Sequence, residues 1–269
     1  MYEDVLVATD GSDVAADAAE SAIALANDLE ATVHALSVTE PNGDRTTAEQ
    51  STESVERDAT AAGCAAEAVV REGRPSSEIL AYAEEADVDL IVVGTHGRTG
   101  IRQTILGSVA LEVIRESTVP VLTVGADAGG LTGISDVLVA TDGWSGSSVA
   151  VDHALGLAEA CGATVHALYA VDVRSEEREV LESFEAHGRN ATGTVVDRAQ
   201  ERGLEATGTV VRGDAHEVLI EQAERGEADL LVMGTESKSN LERLVVGSVS
   251  QRVVPEASIP VMTVRALEE

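Results

Sequence analysis

The chain has 269 residues, of which 44% are hydrophobic and 25% charged, an ordinary globular composition with room for two domains of about 100–150 residues. Aspartate and glutamate number 48 against 18 lysine and arginine residues, so the formal net charge is −30. Such a surface repels nucleic acid and anionic lipid, and no apolar run reaches the roughly 18 residues of a membrane span. We therefore expect no nucleic acid partner and no membrane association.

Two further expectations concern the surroundings of the protein. The acidic start Met1–Asp4 lacks the basic and apolar features of a secretory signal, which favours a cytoplasmic location. Acid excess, a single lysine and few aromatic residues favour a halophilic, salt-accumulating source, since about 1 M salt screens self-repulsion beyond roughly 3 Å. An acidic protein from an ordinary cytosol remains the alternative.

In the first half, short apolar runs alternate with helical patterns. The elements predicted in chain order are strands at 4–9, 32–38, 67–71, 89–94 and 119–124, separated by helices at 13–29, 46–62, 76–86 and 107–116. Nearly continuous apolar strands are typical of a parallel sheet that helices cover on both faces. The alternation therefore predicts a doubly wound, Rossmann-like α/β domain with a five-stranded parallel sheet flanked by helices.

The second half repeats this pattern. The segment Val5–Gly11 recurs at an offset of 132 as Val137–Gly143, whereas Asp89–Thr95 recurs at an offset of 140 as Asp229–Thr235. The second copy therefore gains eight residues between its second strand and the segment near Gly213.

A join rich in small residues lies at 125–133, where it suits a flexible linker. We expect two domains of the same fold, at residues 1–127 and 134–269.

The first candidate site is the loop after the first strand, which carries Asp10 and Ser12. Ligands of open parallel sheets bind beyond the carboxyl ends of the strands, where the strand order reverses. A carboxylate there can accept hydrogen bonds from a base or a ribose. Alternatively, both side chains cap the following helix. This motif alone leaves the two interpretations equally open.

The second candidate loop follows the fourth strand. Gly94 and Gly97 permit close backbone approach to a ligand, and Gly107 with Ser108 opens the last helix. A helix start presents free N–H groups and a positive dipole end, which attract phosphate. Arg98 and Arg102 could offset phosphate charge; individually they are also well explained as solvated surface arginines.

The spacing Gly94-x2-Gly97-x9-Gly107-Ser108, with Asp10 after the first strand, resembles the signature of ATP-binding universal stress proteins. This resemblance covers both halves of the chain. It implies ATP as a ligand, together with magnesium or manganese held by the phosphates. The positions it marks are Ala8, Asp10 and Val38 near the base, and Val93, Gly94, His96, Gly97, Gly107, Ser108 and Val109 near the ribose and phosphates.

The second copy departs from the signature. It keeps Asp142, Gly234, Gly247 and Ser248. However, Ser237 stands where the second glycine is expected, and Glu242 replaces Arg102. A side chain at that glycine blocks ligand approach or costs about 1 kcal/mol, and a carboxylate disfavours phosphate. We therefore expect a weaker second site.

No motif points to dedicated catalysis or to a protein-bound metal. There is no GxxxxGK[ST] loop, and we find no nucleophile paired with a base. The leading hypothesis is a stress or signalling protein that uses ATP as a ligand. The alternatives are a slow ATP-hydrolysing or adenylate-transferring enzyme, and a non-nucleotide dimerisation module.

The resemblance also implies pairing between the final strands, at 119–124 and 259–264. An exposed strand edge invites such pairing. We therefore expect an intramolecular pseudo-dimer of the two domains, with further association into a homodimer as an additional option.

Overall fold

The computed structural model describes residues 2–41, 43–96, 106–173, 177–225, 228–235 and 247–266. The chain divides into two compact units, Met1–Gly133 and Ile134–Glu269. Among the described helices, none combines the length and the apolar character that crossing a bilayer requires.

The first unit is a doubly wound α/β domain, which confirms the predicted fold class. In chain order its elements are β1 Asp4–Ala8, α1 Asp13–Leu29, β2 Thr32–Thr39, α2 Arg45–Ala61, β3 Ala66–Glu72, α3 Pro75–Glu85, β4 Leu90–Gly94, α4 Ser108–Glu116 and β5 Val121–Val124. The strands are parallel and lie in the order β3-β2-β1-β4-β5. Strand β5 starts two residues later than expected, after Pro120, which has no N–H for the ladder.

The second unit repeats this topology. Its elements are β6 Asp136–Ala140, α5 Ser145–Cys161, β7 Thr164–Val171, α6 Arg178–Glu201, β8 Ala206–Arg212, α7 Ala215–Glu224, β9 Leu230–Gly234, α8 Ser248–Glu256 and β10 Val261–Val264. Its strands are also parallel, in the order β8-β7-β6-β9-β10.

The extra residues of the second copy lengthen one helix. Helix α6 has 24 residues, whereas the corresponding α2 has 17. Within the added turns, Leu181 packs on a cluster formed by Tyr169, Val171 and Ala191. The insertion therefore covers a part of β7 that carries a large aromatic side chain.

The cores of both units consist of buried strands and alanine-rich helices. Val5, Leu6 and Val7 of β1 have no solvent exposure, because helices cover both faces of the sheet. Helix α1 turns alanines such as Ala18 and Ala22 inwards, so its backbone lies close to the sheet. Such packing fixes the loop between β1 and α1.

A carboxylate clamps the first strand of each unit at its start. Asp89 accepts the backbone N–H groups of Glu3 at 2.6 Å and Asp4 at 3.1 Å. In the second unit, Asp229 accepts those of Ser135 at 2.7 Å and Asp136 at 3.1 Å.

The two histidines of the second strands, His34 and His166, lie inside polar networks. His34 contacts Asp4 through Nε2 at 2.9 Å and Glu67 through Nδ1 at 2.8 Å. His166 contacts Asp136 through Nε2 at 2.7 Å. Both are therefore structural residues of the sheet.

Candidate functional site

A cavity of about 410 Å³ opens in the first unit at the carboxyl ends of β1, β2 and β4. The strand order reverses between β1 and β4, so the cavity lies at the crevice that the fold predicts. Nine of the ten predicted first-unit residues line it: Ala8, Asp10, Val38, Val93, Gly94, His96, Gly107, Ser108 and Val109. The tenth, Gly97, lies outside the described residues, as do Arg98 and Arg102.

The sequence analysis missed part of the wall. The additional lining residues are Thr9, Ala15, Leu36, Glu40, Pro75, Ile79, Thr95 and Ala110. Because side chains on a strand alternate between faces, Leu36 could have been inferred once Val38 was placed. Pro75 and Ile79 of α3 could not, since their approach depends on how that helix packs.

The start of α4 contributes backbone amides to the cavity. The N–H of Gly107 is already used, because it donates to the carbonyl of Thr95 at 2.8 Å. A Cβ at Gly107 would lie 2.9 Å from that same oxygen, so the close approach of the backbone at Gly107 to the backbone at Thr95 requires glycine. The amides of Ser108, Val109 and Ala110 follow in the first turn, where a helix supplies no acceptor of its own, and the N-cap Gly107 makes no side-chain cap hydrogen bond. These three amides can bind an anion.

Gly94 has a packing role in addition to the close approach to a ligand that we expected of it. A Cβ there would lie 3.2 Å from both the carbonyl carbon and the carbonyl oxygen of Val14 in α1. The glycine therefore lets α1 pack closely against the end of β4, although Gly94 also lines the cavity.

In the loop after β1, Asp10 and Ser12 have different roles, although the sequence left ligand binding and helix capping open for both. Ser12 is the N-cap of α1, and its hydroxyl accepts the N–H of Ala15 at 3.3 Å. Asp10 lines the cavity and accepts the N–H of Ser12 through Oδ1 at 3.0 Å. Gly11 between them has φ +74°, a conformation that favours glycine. Capping thus accounts for Ser12, whereas Asp10 is presented at the cavity.

His96 lies at the last described position before the glycine-rich loop. Its Nδ1 is 2.9 Å from the hydroxyl of Thr95, and its side chain lines the cavity. Thr95 is buried, and its N–H donates to Val124 at 2.9 Å. The histidine is therefore held beside the cavity by an anchored neighbour.

The second unit has a smaller cavity, about 190 Å³, in the same place. All four predicted residues line it: Asp142, Gly234, Gly247 and Ser248. Met233 stands where the first unit has Val93. Gly247 makes the same contact as Gly107 does in the first unit, since its N–H donates to the carbonyl of Thr235 at 2.6 Å. The substituted positions Ser237 and Glu242 lie outside the described residues.

The aspartate of the second cavity is engaged by its own unit. Oδ1 of Asp142 accepts the hydroxyl of Ser147 at 2.7 Å and the N–H of Trp144 at 2.9 Å. The first unit has Ala15 at the position of Ser147, so it lacks this hydroxyl. Nearby, burial raises the pKa of Tyr169, and the negative charge of Asp142 adds to the effect. The second carboxylate therefore already binds a side-chain donor.

Each unit is thus a doubly wound α/β domain with its cavity at the reversal of strand order, a class of fold in which ligands bind at this crevice. The sequence model of the universal stress protein family matches residues 1–125 and 133–265. The chain belongs to the universal stress protein family and carries its domain twice.

Comparisons with individual proteins agree with this assignment. A universal stress protein of Methanocaldococcus jannaschii is 34% identical over 137 residues, which are 48% of this chain and 81% of that protein. The universal stress protein YxiE of Bacillus subtilis is 33% identical over 147 residues, 46% of this chain and 99% of that protein. A universal stress protein structure from Archaeoglobus fulgidus is similar in fold, with a TM-score of 0.73 and 20% identity, covering 97% of this chain and 96% of that chain.

Proposed function

We propose that the first unit binds ATP as a regulatory ligand and that the protein acts in stress response through this binding. The observation that carries the proposal is the cavity of about 410 Å³, lined at once by Asp10 and by the start of α4. This volume lies within the roughly 300–1,000 Å³ that is usual for small-molecule sites. A nucleotide needs both an acceptor for its base or ribose and an anion site for its phosphates.

The phosphates would bind at the first turn of α4. The amides of Ser108, Val109 and Ala110 provide donors, and the helix dipole favours negative charge there. The hydroxyl of Ser108 adds a further donor, and His96 lies beside it in the wall. In a protein of net charge −30, such backbone donors attract phosphate without a surface of basic side chains.

The base and ribose would lie at the other part of the wall. Leu36, Val38 and Ile79 provide apolar contacts. Asp10 provides a carboxylate that can accept from a ribose hydroxyl or an exocyclic amine. A divalent ion, magnesium or manganese, would be bound through the phosphates, because the described residues contain no group of three or more His, Cys, Asp or Glu side chains that could hold a metal.

The second unit should bind ATP more weakly than the first. Its cavity of about 190 Å³ is below the usual range for small-molecule sites, and Asp142 already accepts the Ser147 hydroxyl. A ligand would have to displace that hydrogen bond, which costs about 0.5–1.5 kcal/mol. These observations favour one strong site per chain.

Calorimetric titration of ATP in molar KCl tests the proposal with a matched pair of variants. Proline is favoured at the first position of a helix, and Gly107 has φ −61° and ψ 149°, which a following proline tolerates. Ser108→Pro should therefore keep α4 but remove one amide and one hydroxyl, weakening ATP binding about tenfold or more.

Ser248→Pro is the control, because it makes the same change at the start of α8, where Gly247 has φ −55° and ψ 144°. It should leave the strong site unchanged. The proposal is wrong if wild type shows no saturable ATP binding, or if the two variants weaken the strong site equally.

We also propose that the two units pair within the molecule through their final strands. This pairing, and any homodimer built on it, stays a prediction from the family resemblance.

A further inference from the structure

The second unit contains another cavity, of about 200 Å³, between α5 and α6. Its walls combine the rings of Trp144 and His187 with the polar side chains of Asn190 and Thr194 and the apolar side chains of Val151 and Val195. The cavity at the strand ends shares only Thr141 and Ser147 with it, so the two lie on either side of the loop after β6.

Trp144 is an exposed but fixed aromatic ring at this cavity. It is 44% exposed, and its ring stacks on His187 with centroids 5.3 Å apart and an interplanar angle of 28°. His187 is held in turn, because its Nε2 donates to the carbonyl of Asp142 at 2.9 Å and its ring meets Tyr169 edge-on. The indole is therefore held in a fixed orientation at the wall of the cavity.

Four of the residues that line this cavity have no counterpart of the same type in the first unit. At the positions of Trp144, His187, Asn190 and Arg198, the first unit has Ser12, Thr47, Gln50 and Asp58. The chain contains a single tryptophan, and aromatic residues make up only 2% of it. Unlike a merely exposed ring, Trp144 lies in the wall of a cavity, where a planar ligand can contact an aromatic face.

Charge and size define the ligand further. Arg198 lines the cavity but is paired with Asp152, so the wall carries no uncompensated cation toward an anionic ligand. A volume of about 200 Å³ is half that of the first unit's cavity and suits a single ring system rather than a nucleotide. Asn190 offers an amide donor and an amide acceptor, the pair that recognises the edge of adenine.

We propose that this cavity binds one neutral nitrogen heterocycle of nucleobase size, stacked on Trp144 and hydrogen-bonded by Asn190. Stacking of a base on an aromatic side chain is a substantial, sequence-tolerant source of affinity. The site is separate from the first unit's ATP cavity and does not depend on ATP binding there.

Fluorescence of the single tryptophan reports this site directly. Adenine added in molar KCl should change Trp144 emission saturably, with a dissociation constant of about 1 mM or tighter. The change should persist with ATP at saturation. AMP should bind no more tightly than adenine, because the one arginine in the cavity wall, Arg198, is already paired with Asp152 and offers its phosphate no free cation.

Variants on α6 distinguish specific binding of adenine at the cavity from nonspecific quenching of Trp144 emission. Asn190→Leu should weaken adenine about tenfold, because it removes the amide and keeps the size of the side chain. Phe184→Ala is the control: Phe184 is also exposed, at 41%, on the same helix, but it is not part of the cavity wall. Thermal unfolding of each variant verifies that the helix is intact.

Three results would overturn the proposal: an emission change that never saturates, equal affinity in wild type and Asn190→Leu, or loss of the adenine response when ATP is present. Tighter binding of AMP than of adenine would also overturn it, because the ligand would then be an anion. Failure of this test leaves the ATP titration of the first unit unaffected, since the two measurements monitor different cavities.

Discussion

The two units have the same sheet but different ligand spaces. Strands β1 and β2 pair Asp4 with Thr32, and β6 and β7 pair Asp136 with Thr164 in the same register. Yet the cavities at the strand ends measure about 410 and 190 Å³. Backbone topology therefore sets where a cavity forms, whereas a few side chains set how much of it is available.

A large difference in side-chain size between the units lies at the contact between β7 and α6. Tyr169 stands where β2 has Ser37, and Gly188 stands where α2 has Ala48. A Cβ on Gly188 would be only 2.6 Å from Cδ1 of Tyr169. The glycine thus makes room for the ring, and the added turns of α6 cover the cluster around it.

The largest predicted effect is on the stability of the second unit. Tyr169→Ser should reduce the free energy of unfolding by about 3–5 kcal/mol, because a buried ring is lost and a cavity remains. Denaturant unfolding monitored by Trp144 emission measures this loss locally. A loss below about 1 kcal/mol would mean that the ring does not support α6.

The effect of Gly188→Ala on the free energy of unfolding should change sign depending on whether Tyr169 is present. With Tyr169 present, the new methyl group clashes with the ring and should destabilise by about 1–3 kcal/mol. In the Tyr169→Ser background, which resembles the first unit, the same substitution should stabilise by up to about 1 kcal/mol, since alanine favours helix. The same sign in both backgrounds would contradict the packing described here.

An intermediate effect is expected from exchanging Ala15 and Ser147. Ser147→Ala releases the carboxylate of Asp142 from its hydroxyl donor, whereas Ala15→Ser gives Asp10 a nearby donor. ATP affinity should rise in the second unit and fall in the first, each by a few-fold, corresponding to about 1 kcal/mol for one hydrogen bond.

Calorimetric titration of the two single variants checks this exchange, with unfolding midpoints as the control for α1 and α5. If ATP affinities move together in both variants, the Asp142–Ser147 contact is not a source of the asymmetry.

The smallest predicted effect concerns acid stability. A hydrogen bond from Tyr82 is the main factor that lowers the pKa of Glu67, and the charge of His34 contributes, against a smaller opposing effect of burial. A lowered pKa in the folded state adds stability above the ordinary glutamate value of about 4.3, and this stability disappears as the pH falls through the lowered value. The second unit has Thr207 at this position.

Glu67→Thr should therefore flatten the pH dependence of unfolding below about pH 4.3. The effect is small because the Glu67 side chain is 54% exposed. Denaturant midpoints measured across this range provide the check, with Thr207→Glu as the reverse exchange. An unchanged slope in Glu67→Thr would show that another carboxylate dominates acid unfolding.

Local patterns in the sequence were sufficient for most of the fold. Apolar runs located every strand of the first unit to within two residues, and Gly107 with Ser108 marked the start of α4, because these signals depend on neighbouring residues alone. The contact of Gly94 with Val14 escaped prediction, since it joins residues far apart in sequence. For the same reason, the wall contributed by Ile79 and the stack of Trp144 on His187 emerge only from tertiary packing.

Asp89 and Asp229 allow each unit to fix the start of its own sheet. Each holds the opening amides of its own unit's first strand, so each sheet begins with an anchor that it supplies itself. Neither unit relies on its place in the chain for this anchor. A permuted gene that encodes the second unit ahead of the first would preserve both anchors.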